Sequence, residues 1–197
     1  MFDTRRSRVR ALAVVGMVAV AAGVGAVTYQ ASAAEVTARP APPAAPVAVP
    51  AIADVLKPPA GSRPIGVFMV AAGTQNYTCV VPDGATTGAY TGASVPEAQL
   101  IGTYGKIHHF GGPSWQSELD GSLVTGTKLA SSARTGAIPE LLLQVATHSG
   151  SGFLSRADYI NRLATSGGVA PTGSCTAGQT VQVPYKAVYV FWDAPAA

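Results

Sequence analysis

The last apolar stretch of the chain reads Val181-Gln182-Val183-Pro184-Tyr185-Lys186-Ala187-Val188-Tyr189-Val190-Phe191-Trp192. Successive side chains of a strand point to opposite faces, so Val181, Val183, Tyr185, Ala187, Tyr189 and Phe191 share one face. Upstream segments follow the same pattern. Residues 65–70 and 76–81 read as two short strands with Gly73 between them, and Pro82-Asp83-Gly84 reads as a turn. Trp115, Ser117 and Leu119 alternate with Gln116 and Glu118 ahead of Asp120-Gly121, a hairpin signal, and residues 122–125 leave that turn. Residues 141–146 and 159–163 read as further strands. The best helical candidates, residues 53–56 and 139–144, are both short. With 22 Gly and 15 Pro punctuating the chain, the expected fold is mainly β. It is a single antiparallel β-sandwich or barrel-like domain with short helical turns and no internal repeat.

The N-terminus carries a different signature. Arg5, Arg6, Arg8 and Arg10 precede an uncharged apolar run from 11 to 27, and Ala31-Ser32-Ala33 sets small residues where a signal peptidase reads. Residues 1–33 are therefore expected to be a cleaved secretion signal. The run is at the short end of the roughly 17–25 residues of a spanning helix, and its Ala and Gly make a weak anchor. Arg8 stands where a twin-arginine signal wants a hydrophobic residue, which favours the general secretory route. Residues 34–51 include the Pro/Ala tract VTARPAPPAAPVAVP, read as an extended spacer. Residues 52–194 remain as one domain, long enough to bury a core.

Removing the signal changes the charge argument. Residues 1–33 hold four of the 13 Lys and Arg and one of the 10 Asp and Glu, leaving nine of each. A charge-balanced domain argues against nucleic acid or an anionic membrane as partner, and no membrane span remains after cleavage. The two cysteines, Cys79 and Cys175, are expected to pair in an oxidising compartment.

Unusual residues concentrate in His108-His109-Phe110-Gly111-Gly112-Pro113-Ser114-Trp115, followed by Asp120-Gly121-Ser122. Neighbouring histidines on a strand face opposite ways, so both cannot serve one metal; with only His148 besides and no HxH or HExxH, no metal site is expected. No cofactor is expected either, since the Gly-rich pairs are not set in the strand–turn–helix context of a dinucleotide site. His109 beside Trp115 is a candidate ligand-contacting or acid/base imidazole. A hydrolase would pair it with Asp120 or Glu118, two positions expected to share one strand face, although no G-x-S-x-G elbow is present. Arg162 could pair with a carboxylate or a ligand anion, or act as a structural bracket.

Several blocks resemble DUF3455, a family of secreted bacterial and fungal proteins of unknown function. Residues 73–79 (GTQNYTC) resemble its GxQxYxC opening, and residues 109–115 with Asp120-Gly121-Ser122 are similar to its H-x-x-G-P-x-W…DGS block. Leu141-Leu142-Leu143, residues 159–171 with Cys175, and residues 183–191 resemble its later segments. Asn161 stands where Gln is usual, and Glu140 precedes the LLL strand where Trp is expected. The resemblance implies an extracytoplasmic setting and paired cysteines, and supplies no reaction.

These readings favour a secreted or cell-envelope protein that binds a ligand without catalysis, through Gln75, His109, Trp115, Asp120 and Arg162. The low charge fraction (12%) and the aromatic residues suit a neutral, carbohydrate-like ligand, small or polymeric. The alternatives are a secreted hydrolase using His109 with Asp120 or Glu118, and a structural or interaction domain.

Overall fold

The structure, a computed structural model, describes residues 48–196. The expected signal at 1–33 and most of the spacer at 34–51 lie outside the described residues. The domain is a closed antiparallel barrel in which every strand pairs with its neighbours in chain order. The strands are β1 (Arg63–Thr78), β2 (Val95–Gly102), β3 (Gly105–Phe110), β4 (Ser114–Ser117), β5 (Leu123–Arg134), β6 (Ala137–Ser149), β7 (Tyr159–Gly167) and β8 (Thr180–Asp193). Closure comes from β8 pairing with β1, with Val67 opposite Val190 and Gln75 opposite Val183. Of the two architectures left open by the alternation of β8, the barrel is the one formed.

Tyr185, Ala187, Tyr189 and Phe191 of β8 join Phe68, Leu100, Ile107, Trp115 and Ile160 in the barrel interior. The other face of β8 is buried as well. Val190 and Trp192 pack with Leu142 and Leu163 beneath Leu56, carried on a 3₁₀ turn at Asp54–Leu56. Asn161, fully buried on β7, fastens this outer layer: its Nδ2 donates to the carbonyls of Leu56 (2.9 Å) and Leu141 (3.1 Å), and Trp192 Nε1 donates to its Oδ1 (2.9 Å).

Three local expectations are corrected. The strands read at 65–70 and 76–81 are one, β1, bent by register shifts around residues 69–74. Gly73 allows the bend, because a Cβ there would lie 2.5 Å from the Cβ of Ala98. The helical candidate at 139–144 is part of β6. Pro139 sits where the pairing with β7 is interrupted, between Ala137 and Leu141, so the proline removes no ladder hydrogen bond there. Finally, β4 ends at Ser117, and the turn to β5 is longer than an Asp-Gly hairpin, with Gly121 N–H donating to the carbonyl of Ser117 (2.9 Å). Glu118 and Asp120 therefore lie in the turn and not on a strand face.

That turn has a structural task. Asp120 accepts hydrogen bonds from Phe153 N–H (2.8 Å) and from the Ser122 hydroxyl (2.6 Å), and Ser122 Oγ accepts from Leu154 N–H (3.1 Å). The 3₁₀ turn Phe153–Arg156 is thereby held across one end of the barrel, with Leu154 fully buried and Phe153 against the rings of Phe68 and Phe191.

Cys79 and Cys175 are disulfide-bonded across a sequence separation of 96, with Cα atoms 5.9 Å apart. The bond ties the exit of β1 to the approach of β8, next to the ladder that closes the barrel. A crosslink of this span constrains the unfolded chain strongly. The double variant Cys79→Ser/Cys175→Ser is expected to lose about 2–4 kcal/mol of stability. By calorimetry that is a fall of roughly 5–15 °C in Tm for a domain of this size.

Candidate functional site

The barrel interior is apolar at the plugged end and polar toward the other. There a cavity of about 250 Å³ is lined by Gln75, His109, Trp115, Lys128, Arg162 and Tyr189, with apolar wall from Val95, Pro96, Pro113, Leu141 and Leu143. Val95, 52% exposed, stands at its rim. Gly126 of β5 makes part of the room, since a Cβ at that position would come within 3.1 Å of the Trp115 ring.

His109 and Trp115 are direct cross-strand partners on β3 and β4, and their rings stack 4.5 Å apart at 5°. His108 points outward, as alternation requires, and bonds Glu97 through Nε2 (2.6 Å). The Nδ1 of His109 lies 2.8 Å from the carbonyl of Ser114, which can only accept. This assigns the ring proton to Nδ1 and leaves Nε2 with a free lone pair. Burial, reinforced by the nearby Arg162 cation and opposed by the Ser114 bond, lowers the His109 pKa to about 4. The ring is therefore neutral at physiological pH. Its neighbours Tyr189 and Tyr185 have their phenols pushed up, first of all by burial, and their hydroxyls lie 3.3 Å apart.

Two buried donors on this lining have no partner. Gln75, 2% exposed, accepts at Oε1 from the Ser94 hydroxyl, but its Nε2 is unbonded; Trp115 is 1% exposed and its Nε1 is unbonded too. Arg162 is held by two donations to one acceptor, from Nε (3.1 Å) and Nη2 (2.9 Å) to the carbonyl of Pro139. The bulge that exposes this carbonyl is itself braced. Ala164 adopts a left-handed φ of 48°, and its N–H donates to Glu140 Oε1 (2.7 Å), which also takes Arg134 Nη1 (3.0 Å). The Glu that replaces the expected Trp thus has a local role.

Four of the residues singled out from sequence, Gln75, His109, Trp115 and Arg162, meet on one cavity. Asp120 and Glu118 do not line it. Asp120 is engaged with the plug, and those bonds, from Phe153 N–H first and Ser122 next, lower its pKa to about 2. Glu118 is exposed in the turn. Neither carboxylate bonds His109, because both belong to the segment that folds toward the opposite end. Among the described residues no three His, Cys, Asp or Glu side chains gather into a metal site, and His148 bonds the carbonyl of Ala157 (2.8 Å). Sequence reasoning did not single out Ser94 and Lys128, which sit in no motif. Tyr189 was legible only as an inward position of β8.

Fold and site define a small, single-domain antiparallel barrel, disulfide-bonded and carrying a polar cavity in its interior. The family model described as "Protein of unknown function (DUF3455)" matches residues 103–193, so the segment from β3 to β8 is similar to that family. β1, β2 and Gln75 precede the matched residues. No curated protein and no solved structure matches the chain.

Two outcomes follow from these environments. His109 binds its proton more weakly in the fold (about 4) than a free imidazole does (6.5), so the unfolded chain takes up more protons between those values. Stability should therefore fall as pH drops from about 6.5 to 4, by on the order of 3 kcal/mol, and His109→Gln should flatten that slope in urea titrations across pH. Asp120→Ala should cost about 1–2 kcal/mol by freeing the plug while leaving any ligand affinity of the far cavity unchanged, measured by denaturation and calorimetry side by side.

Proposed function

We propose that this protein is an exported, non-catalytic binding protein that holds one small molecule in the polar end of its barrel. The observation that carries this reading is the pair of unpartnered, buried N–H groups, Gln75 Nε2 and Trp115 Nε1, on two side chains that line one cavity. A buried donor left unbonded costs about 1–3 kcal/mol, an expense a folded protein keeps where a ligand supplies the acceptor. Export is supported by the leader-like residues 1–33 and agrees with the disulfide.

The size of the site favours a small ligand over a polymer. At about 250 Å³ the cavity is just below the roughly 300–1,000 Å³ typical of drug-sized ligands. Trp115 and Tyr189 stand inside the barrel, where a chain of sugars could not stack along them. The hydrolase reading has less support. His109 bonds a carbonyl instead of a carboxylate, and the Ser114 hydroxyl donates to the carbonyl of Gly111 (3.1 Å), away from the imidazole.

Gln75→Leu tests the reading. Leu removes the unsatisfied Nε2 and also the Oε1 bond from the half-buried Ser94 hydroxyl, so the two effects offset and stability should stay within about 1 kcal/mol of the parent while ligand binding weakens. Thermal shift and tryptophan fluorescence against benzyl alcohol, benzamide, benzoate and glucose supply the second half of the measurement. A Gln75→Leu protein clearly less stable than the parent, with no saturable shift from any of these probes, would make the interior purely structural.

A further inference from the structure

We infer that the occupant of this cavity is a small carboxylic acid with an apolar, ring-sized body, its carboxylate seated on Arg162. The inference rests on the binding reading above and adds the chemical class of the ligand.

The charges on the lining are one-sided. Arg162 and Lys128 face the cavity and no carboxylate does, although residues 34–197 carry equal numbers of acids and bases. The acids that could have balanced Arg162 are used elsewhere: Glu140 takes Arg134 and the Ala164 N–H, Glu97 takes His108, and Asp120 holds the plug. Among the described residues Arg162 has no acidic partner within ion-pair distance. A partly buried guanidinium without a counter-charge is unfavourable unless something anionic joins it. The neutral ligand expected from the chain-wide charge balance therefore gives way to the local balance of the site.

Most of the hydrogen-bonding groups agree in sign, the exception being the acceptor lone pair of His109 Nε2, which a carboxylate leaves unmet. The Pro139 carbonyl occupies the Nε–Nη2 side of the guanidinium and holds it in place. The Tyr189 hydroxyl also lies beside the guanidinium, and the N–H groups not spent on Pro139 can meet the oxygens of a carboxylate at the same place. Gln75 and Trp115, which line the same cavity, each carry an unpartnered N–H. A carboxylate accepts at several lone pairs and donates nothing, so it fits a set of unbonded donors. A neutral alcohol or sugar would bring donors of its own.

The remaining wall sets the body. Leu141, Leu143, Val95, Pro96 and Pro113 offer apolar surface, and little room is left in about 250 Å³ once a carboxylate is seated. A bare inorganic oxyanion would lose its hydration against that wall with no apolar contact to offset it.

The experiment is calorimetric titration of the purified protein with three probes, each also followed by tryptophan fluorescence. Benzoate has charge and ring, benzamide the same ring without charge, and inorganic phosphate charge without a ring. Benzoate is expected to bind at least ten-fold more tightly than either of the others. Arg162→Gln is expected to erase the difference between benzoate and benzamide, with Arg162→Lys in between. The comparison on the parent needs no variant, so it decides the matter even where Arg162→Gln fails to fold. Benzamide binding as tightly as benzoate overturns the carboxylate assignment while leaving a small-ligand site in place. Phosphate matching benzoate overturns the apolar body. Silence from all three probes overturns this inference, and the binding reading then stands or falls on the stability of Gln75→Leu.

Discussion

The ladder between β1 and β8 decides everything else in this molecule. An open sheet of these strands would expose two edges and one apolar face; pairing the first strand with the last removes both edges and turns that face into an interior. The ladder joins segments more than a hundred residues apart, from Arg63 opposite Asp193 to Thr78 opposite Thr180. Such a contact is costly in loop entropy, and the structure reinforces it twice. The disulfide holds its far end, and the Leu56 turn, fixed by Asn161 and Trp192, covers the outer face of β8 beside it.

Closure creates an interior of limited width, and the chain fills it unevenly. At one end Phe68, Phe153, Leu154 and Phe191 pack around the plug held by Asp120 and Ser122. At the other, positions of the same inward registers hold Gln75, His109, Arg162, Tyr185 and Tyr189. Buried polar groups are stable when satisfied, and most here are: His109 on Ser114, Arg162 on Pro139, Tyr185 beside Tyr189. Those that are not, Gln75 Nε2 and Trp115 Nε1, mark where packing was not the whole constraint on the sequence.

Much of the local structure was legible. The alternation along residues 181–192 named the inward face of β8, and the opposed directions of His108 and His109 followed from strand geometry alone. The two cysteines of a chain expected to be exported pointed to their own bond. The failures are physical in origin. Residues 139–144 are compatible with helix or strand over so short a span, and only pairing with β5 and β7 chose. Gly73 signals a break in β1 or a bend equally well, and the closeness of Ala98 made it a bend. Asp120 stood next to a histidine-rich motif in the chain, yet proximity in sequence across a turn says nothing about which end of a barrel a side chain serves.

Sequence by itself determined the β class, the cysteine pair and four of the residues that meet on the cavity, because strand periodicity and composition act locally. It could not determine that they meet. Gln75 lies on β1, His109 on β3, Trp115 on β4 and Arg162 on β7, and no pattern within any one segment encodes their distance from the others. Only the closed barrel, through its register and the bulge at Ala164, brings a guanidinium with no acidic partner and the side chains of Gln75 and Trp115 to one lining, and sends Asp120 to the opposite end as a clamp.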